Sequence, residues 1–245
     1  RFGEPATPWQ VFEKIRRGEI FYQDFTVPEG SNIFDIASLV ESAGAVTAGD
    51  FLKAASDPAG IRDLDPAAPS LEGYLFPSTY RITRHTTARQ LCRMMTAEFR
   101  KHWRALRGVD VHRTTTLASL VEKETGLPAE RPLVASVFEN RLARNMPLQC
   151  DPSTVYAALV ENRYRGTIYK SDLASKNPYN TYTHPGLPPG PIANPGIEAL
   201  TAAFHPATTD YLYFVARPDA PGSHHFSATL EEHEKAVAAF RGARR

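Results

Sequence analysis

Cysteine is nearly missing from this chain of 245 residues: only Cys92 and Cys150 occur, and neither stands in a CxxC pair or beside a metal-ligand cluster. No structural metal, no cofactor and no disulfide-dense secreted scaffold is therefore expected, although one bridge between the two thiols stays open. Also missing is any run of about 18 apolar residues, the length a membrane-spanning helix needs. The opening Arg1-Phe2-Gly3-Glu4-Pro5 has no signal-peptide pattern and no initiator Met. The expectation is a soluble fragment whose targeting segment was removed. Charge of one sign is lacking too. With 28 basic and 27 acidic residues the net charge is +1, so no long-range field would gather nucleic acid or anionic lipid. The eight histidines form no HExxH arrangement and no GxSxG elbow occurs, which argues against a zinc protease and a serine esterase.

What is present suits a packed core: 42% hydrophobic and 10% aromatic residues, enough for one large domain or two modest ones. In the first 65 residues, Phe25-Thr26-Val27 reads as a strand, Pro28-Glu29-Gly30 as a turn and Ser31 as a helix N-cap. Ile33, Ile36, Ala37 and Val40 then recur at helical spacing, and a second short helix after Thr47 turns Phe51 and Leu52 inward. The run FTVPEGSNIFDIASLV resembles a LysM-like module, which implies binding of N-acetylated glycans. A linker rich in Asp, Pro and Ala, Ser56 to Ser70, predicts a boundary near residue 66. Beyond it come an aromatic turn segment over 71–82, helices near 87–106, 115–125, 129–143 and 152–162, a strand over Tyr211 to Val215 and a last helix from about Leu230. The expected fold class is α+β: a small subdomain over 1–66, then a mixed α/β domain over 67–245.

In TLASLVEKET, Leu117, Leu120, Val121 and Glu124 fall on one helical stripe, while Glu122 and Lys123 point elsewhere and Glu122 reads as solvated. A carboxyl on a core-facing stripe at a helix C-terminus is disfavoured as an anion by burial and by the helix dipole. Its raised pKa suits an acid that must be protonated near neutral pH. The next helix puts Val134, Val137, Phe138 and Leu142 inward and leaves Arg131, Glu139 and Arg141 to solvent or partners. Asp151 before Pro152 reads as an N-cap. The Pro- and Gly-rich run from Tyr179 to Gly196 forbids regular structure. Its Tyr179, Asn180 and Tyr182, with Gln149 and Glu72 from neighbouring segments, offer the aromatic faces and amides that carbohydrates bind.

In order, LEGYLFPSTY, SLVEKET, ERPLVASVFENRL, MPLQCDPSTVY, YNTY, GLPPGPIANPG, HPA, YLYFV and HHFSATLEEH resemble the MltG (YceG-like) endolytic murein transglycosylases. The resemblance covers residues 20 to 240 and implies a catalytic Glu124 on a lysozyme-like helix. It also implies a peptidoglycan substrate, cell-wall synthases as neighbours, and a periplasm-facing enzyme anchored in the bacterial inner membrane by an N-terminal helix absent here. Ser78, Cys150 and Glu234 depart from that family's usual residues, so no role passes to them. In the implied reaction one carboxylate serves as acid and then base, because the attacking hydroxyl belongs to the substrate. Two other readings stay open: a lysozyme-like muramidase with Glu72 or Asp151 as a second carboxylate about 5 to 9 Å from Glu124, and a glycan-binding scaffold that cuts nothing.

Overall fold

The computed structural model describes residues 7–17, 22–107 and 110–243; the opening five residues read above lie outside it. The architecture is α+β, helices with two small antiparallel sheets. The elements run α1 (Pro8–Arg16), β1 (Gln23–Thr26), α2 (Ile33–Ser42), α3 (Ala48–Ala55), β2 (Thr79–Ile82), α4 (Ala88–Leu106), α5 (Val111–Glu124), α6 (Arg131–Ala143), α7 (Asp151–Val160), α8 (Lys170–Leu173), α9 (Ile197–Phe204), β3 (Tyr213–Ala216), β4 (His224–Ser227) and α10 (Leu230–Gly242).

The helices start where side chains can satisfy their first N–H groups. Asn32 rather than Ser31 caps α2: its side chain accepts from Phe34 and Asp35, and Asp35 accepts from Asn32 in return. Ser31 instead donates its hydroxyl to Pro28 O. Thr47 caps α3, and Thr87 with Gln90 forms a capping box on α4. Asp110 caps α5 four residues before its expected start, so the β-branched run Thr114 to Thr116 is helical and buried. Tertiary burial overrides the poor helix propensity of those threonines.

β1 pairs antiparallel with β2, Phe25 opposite Tyr80, and Thr26 bonds Thr79 hydroxyl to hydroxyl at 2.8 Å. The two strands therefore bracket α2 and α3 and join chain on both sides of residue 66, and one hydrophobic cluster runs from Phe25 through Leu117 to Ala203. The second sheet, β3 with β4, lies against α10. α5 sits at the centre. It packs on α6, α7 and α9, with Leu117, Leu120 and Val121 wholly buried. Gly73 takes φ +87, and a Cβ there would stand 2.3 Å from the Pro191 ring and 3.0 Å from Thr115 on α5. Only glycine lets the aromatic turn, the Pro-rich loop and α5 close on one another.

A buried polar joint fixes that arrangement. Glu72, expected as a substrate contact, is 1% exposed. It accepts from the Ile33 N–H at the start of α2 (2.9 Å) and from Asn194 Nδ2 (2.8 Å), and it shares a hydrogen bond with Tyr156. Burial pushes the Glu72 carboxyl up to about 8, although the Ile33 and Tyr156 bonds oppose the shift. Its folded-state pKa thus exceeds the ordinary 4.5. The contribution to stability is full below about pH 4.5 and fades as pH rises toward 8, by up to about 1.4 kcal/mol per pH unit. Denaturant titrations at pH 5 and pH 8 should show Glu72→Gln losing much less stability on that rise than the parent; equal losses would refute the assignment.

Candidate functional site

Glu124 is the last residue of α5, with Thr125 as the C-cap. Its carboxyl hydrogen-bonds the Cys150 thiol, and the charges of Asp151, His224 and Arg141 act on it. Burial raises its pKa first and the Asp151 carboxylate adds to the rise; the Cys150 bond and the charges of His224 and Arg141 pull the other way. The net shift is upward. By surface area the residue is half-buried, open on one side. No ion pair to Glu124 forms among the described residues, so its proton is not displaced by a cation in contact.

Glu122, two residues earlier, meets a different fate. Its side chain is 5% exposed rather than solvated. It pairs with Arg131 at 2.9 Å and accepts the Gly196 N–H at 2.9 Å. Arg131, read as solvent-facing, is buried as well and also pairs with Glu198 and Glu29. The helix phase on which Glu122 looked free faces α6, α9 and the Pro28 turn, which a helix considered alone does not reveal. With both carboxylate oxygens engaged, Glu122 is a structural anion.

The segment before α7 makes the wall beside Glu124. Gln149 is exposed and adopts φ +50, while its N–H is held by Thr181 O at 3.2 Å. A left-handed backbone at a non-glycine residue costs energy and persists only where surroundings impose it. Cys150, not Asp151, occupies the N-cap of α7, and Asp151 begins the helix. Asp151 is exposed and accepts the Tyr182 hydroxyl at 2.6 Å, so Tyr182 lies on the same side of the site. Arg141 donates from Nε to Leu212 O at 2.7 Å and from Nη1 to Leu148 O at 2.9 Å, and it lies over the Tyr213 ring at 5.3 Å. It therefore stitches the Gln149 segment to β3. His224 on β4 is held by Glu130, which accepts its Nδ1 (2.7 Å) and its backbone N–H (2.8 Å). Although burial opposes it, those bonds hold the Glu130 carboxyl below its ordinary range.

Glu124, Gln149 and Tyr182 are thus brought together, and three other expected contacts are placed elsewhere. Asn180 is 0% exposed. It donates to Ser175 O (2.8 Å) and Leu173 O (3.1 Å), and accepts from Thr154 Oγ1 and the Tyr182 N–H, both at 3.1 Å. Tyr179 packs edge-on to Tyr156 with centroids 5.0 Å apart, and burial pushes its hydroxyl up to about 12. Glu72 belongs to the buried joint described above. The same Asn and Tyr that suit a sugar also suit an irregular loop with many unpaired carbonyls, and composition does not separate the two uses. Arg141 and His224 were not singled out from sequence; Arg141 was read as solvent-facing, and only the fold brings it and the β4 His to α5. Among the described residues no group of three or more His, Cys, Asp or Glu could hold a metal ion. Nor is any described helix long and apolar enough to cross a membrane.

Comparison with known proteins gives a consistent result. Residues 1–239 match the model of the YceG-like family. The chain is 35% identical over 248 residues to a Bacillus subtilis (strain 168) protein named endolytic murein transglycosylase, covering 92% of this chain and 68% of that one. It is 33% identical over 241 residues to a protein of the same name from Streptococcus pneumoniae serotype 2 (strain D39 / NCTC 7466), covering 87% of this chain but 44% of that one. A 2.6 Å crystal structure of a YceG-like protein from Listeria monocytogenes superposes with a TM-score of 0.72 at 34% identity, over 92% of this chain and 80% of that chain.

Asn180→Ala should lower stability by about 2–4 kcal/mol, because buried carbonyls and the Thr154 hydroxyl lose their partner. Gln149→Ala should change it by less than about 0.5 kcal/mol. Urea denaturation of both variants checks the contrast, and an Asn180→Ala protein as stable as the parent would contradict the loop-holding role.

Proposed function

Because the chain belongs to the YceG-like family, we propose that it is an endolytic murein transglycosylase that cuts peptidoglycan glycan strands, with Glu124 as its single acid and base. The observation that carries the assignment of Glu124 is its setting: a carboxyl raised by burial, without a paired cation, open on one side beside exposed Gln149 and Tyr182. Protonated Glu124 donates to the oxygen joining N-acetylmuramic acid to N-acetylglucosamine, the C1–O bond breaks, and the substrate's acetamido group relieves the developing positive charge. The carboxylate then takes the proton from the muramyl C6 hydroxyl as that oxygen bonds to C1. No water is consumed, the strand ends in a 1,6-anhydro sugar, and the proton cycle closes. An intramolecular nucleophile removes the need for a second carboxylate.

Gln149 and Tyr182 are the proposed contacts to the strand. Asn180, Tyr179 and Glu72 act in this reading by holding the loops from which those contacts project. The β1, α2, α3 and β2 segment is proposed as a LysM-like unit that closes at β2 rather than near residue 66, with the Glu124-bearing helix of the remainder as its lysozyme-like element. Supporting that reading is the order strand, helix, helix, strand with antiparallel terminal strands. An inner-membrane anchor outside this chain and neighbouring cell-wall synthases complete the proposal.

Asp151 supplies the one observation favouring a muramidase, since its carboxylate lies close enough to raise Glu124 and is steadied by Tyr182. Mass spectrometry of isolated glycan strands separates the two. Products lighter by one water than hydrolytic fragments, lost in Glu124→Gln, are expected; reducing ends would point to hydrolysis, and no cutting by the parent would favour a binding module. Since Glu124 must carry its proton to start the reaction, kcat/KM should fall as pH rises through its elevated pKa. A rate that instead climbs over that interval would exclude it as the acid.

A further inference from the structure

We propose that Cys150 is the positioning residue of Glu124: its thiol hydrogen-bonds the carboxyl and fixes it at the open side of the site. The inference rests on Glu124 being the acid proposed above, and it arises from what the Cys150 backbone leaves the thiol to do. The Cys150 N–H donates to Thr181 Oγ1 at 3.0 Å. Its carbonyl accepts from the Ser153 N–H (3.1 Å) and the Ser153 hydroxyl (2.7 Å), and Ser153 and Thr181 bond to each other at 2.8 Å. The residue is 1% exposed, so this frame has no slack of solvent around it. An N-cap side chain ordinarily turns back onto its own helix. Here no side-chain cap bond to α7 forms, and the thiol meets Glu124 instead. Burial, and then the Glu124 charge, push the Cys150 thiol well above its ordinary value, so it stays an S–H donor and not a competing anion.

The choice of sulfur matters chemically. A thiol is a weak donor, so it orients the carboxyl while giving its anion little extra stabilisation. A hydroxyl at the same place would favour the carboxylate more strongly and draw the proton off at lower pH. Cys150 therefore combines two needs of a general acid, a fixed direction and a retained proton. The thiol itself takes no part in bond making or breaking.

The test compares Cys150→Ser and Cys150→Ala with the parent, using release of anhydro-ended fragments from isolated glycan strands across about pH 5 to 9. Cys150→Ser should move the alkaline limb of kcat/KM down by about one pH unit with its plateau kept within a few-fold, because the hydroxyl stabilises the Glu124 anion. Cys150→Ala should lower kcat about tenfold with KM nearly unchanged, because the carboxyl loses its direction. Carbon-13 NMR titration of the Glu124 carboxyl in the free protein reads the same contact without turnover. A Cys150→Ser titration and pH profile superimposable on the parent's would overturn the proposal, even if Cys150→Ala does not fold. Absence of anhydro products from the parent would instead refute the transglycosylase reading, while the NMR titration would still decide the contact.

Discussion

The amide of Asn194 holds together segments far apart in the chain. Its oxygen accepts the Leu75 N–H at 2.8 Å, and its nitrogen donates to Ser31 O at 2.9 Å and to Glu72. Its own N–H and carbonyl complete the joint with Ser31 and Gly30. The start of α2, the aromatic turn and the Pro-rich loop therefore meet at one wholly buried residue. Ile192, two positions earlier, donates to Ser119 on α5 at 3.0 Å. The helix bearing Glu124 is thus registered against the same loop. In a region with so little regular structure, side-chain amides and hydroxyls take over the work that a sheet ladder does elsewhere.

Two glutamates on one turn of α5 show how location divides identical chemistry. Both are raised by burial. Glu122 is answered by Arg131 and the Gly196 N–H, which makes an anion useful as a bolt between α5, α6 and α9. Glu124 is answered by a weak thiol donor and by more distant charges, with a carboxylate nearby working against ionisation. The difference between a bolt and an acid lies in the partners, and those come from α6, α7 and the loop before α9.

Much of the helical layout was legible because periodic apolar stripes and caps are local signals. Thr87, Thr47 and the stripe Leu117, Leu120, Val121, Glu124 all read correctly. α9 was not anticipated, since the Pro-Gly run before it reads as a long loop while Leu200 and Ala203 form only a short stripe. Glu124 was legible for the same reason as its helix: the stripe set its burial. Its surroundings were not, because Cys150, Arg141 and His224 reach it from three other elements. Asn180 and Glu72 looked like binding groups because a polar side chain that satisfies a loop interior and one that waits for a ligand have the same letter.

The pairing of β1 with β2 also governs the order in which the molecule can assemble. Thr26 meets Thr79 across 53 positions of chain, so the first strand has no sheet partner until the second has left the ribosome. During that interval α2 and α3 present an apolar face with neither their flanking strand nor the Glu72 and Asn194 joint to close it. Asn194 arrives later still. The amino-terminal half must therefore wait, partly open, for a single amide encoded in the last quarter of the chain.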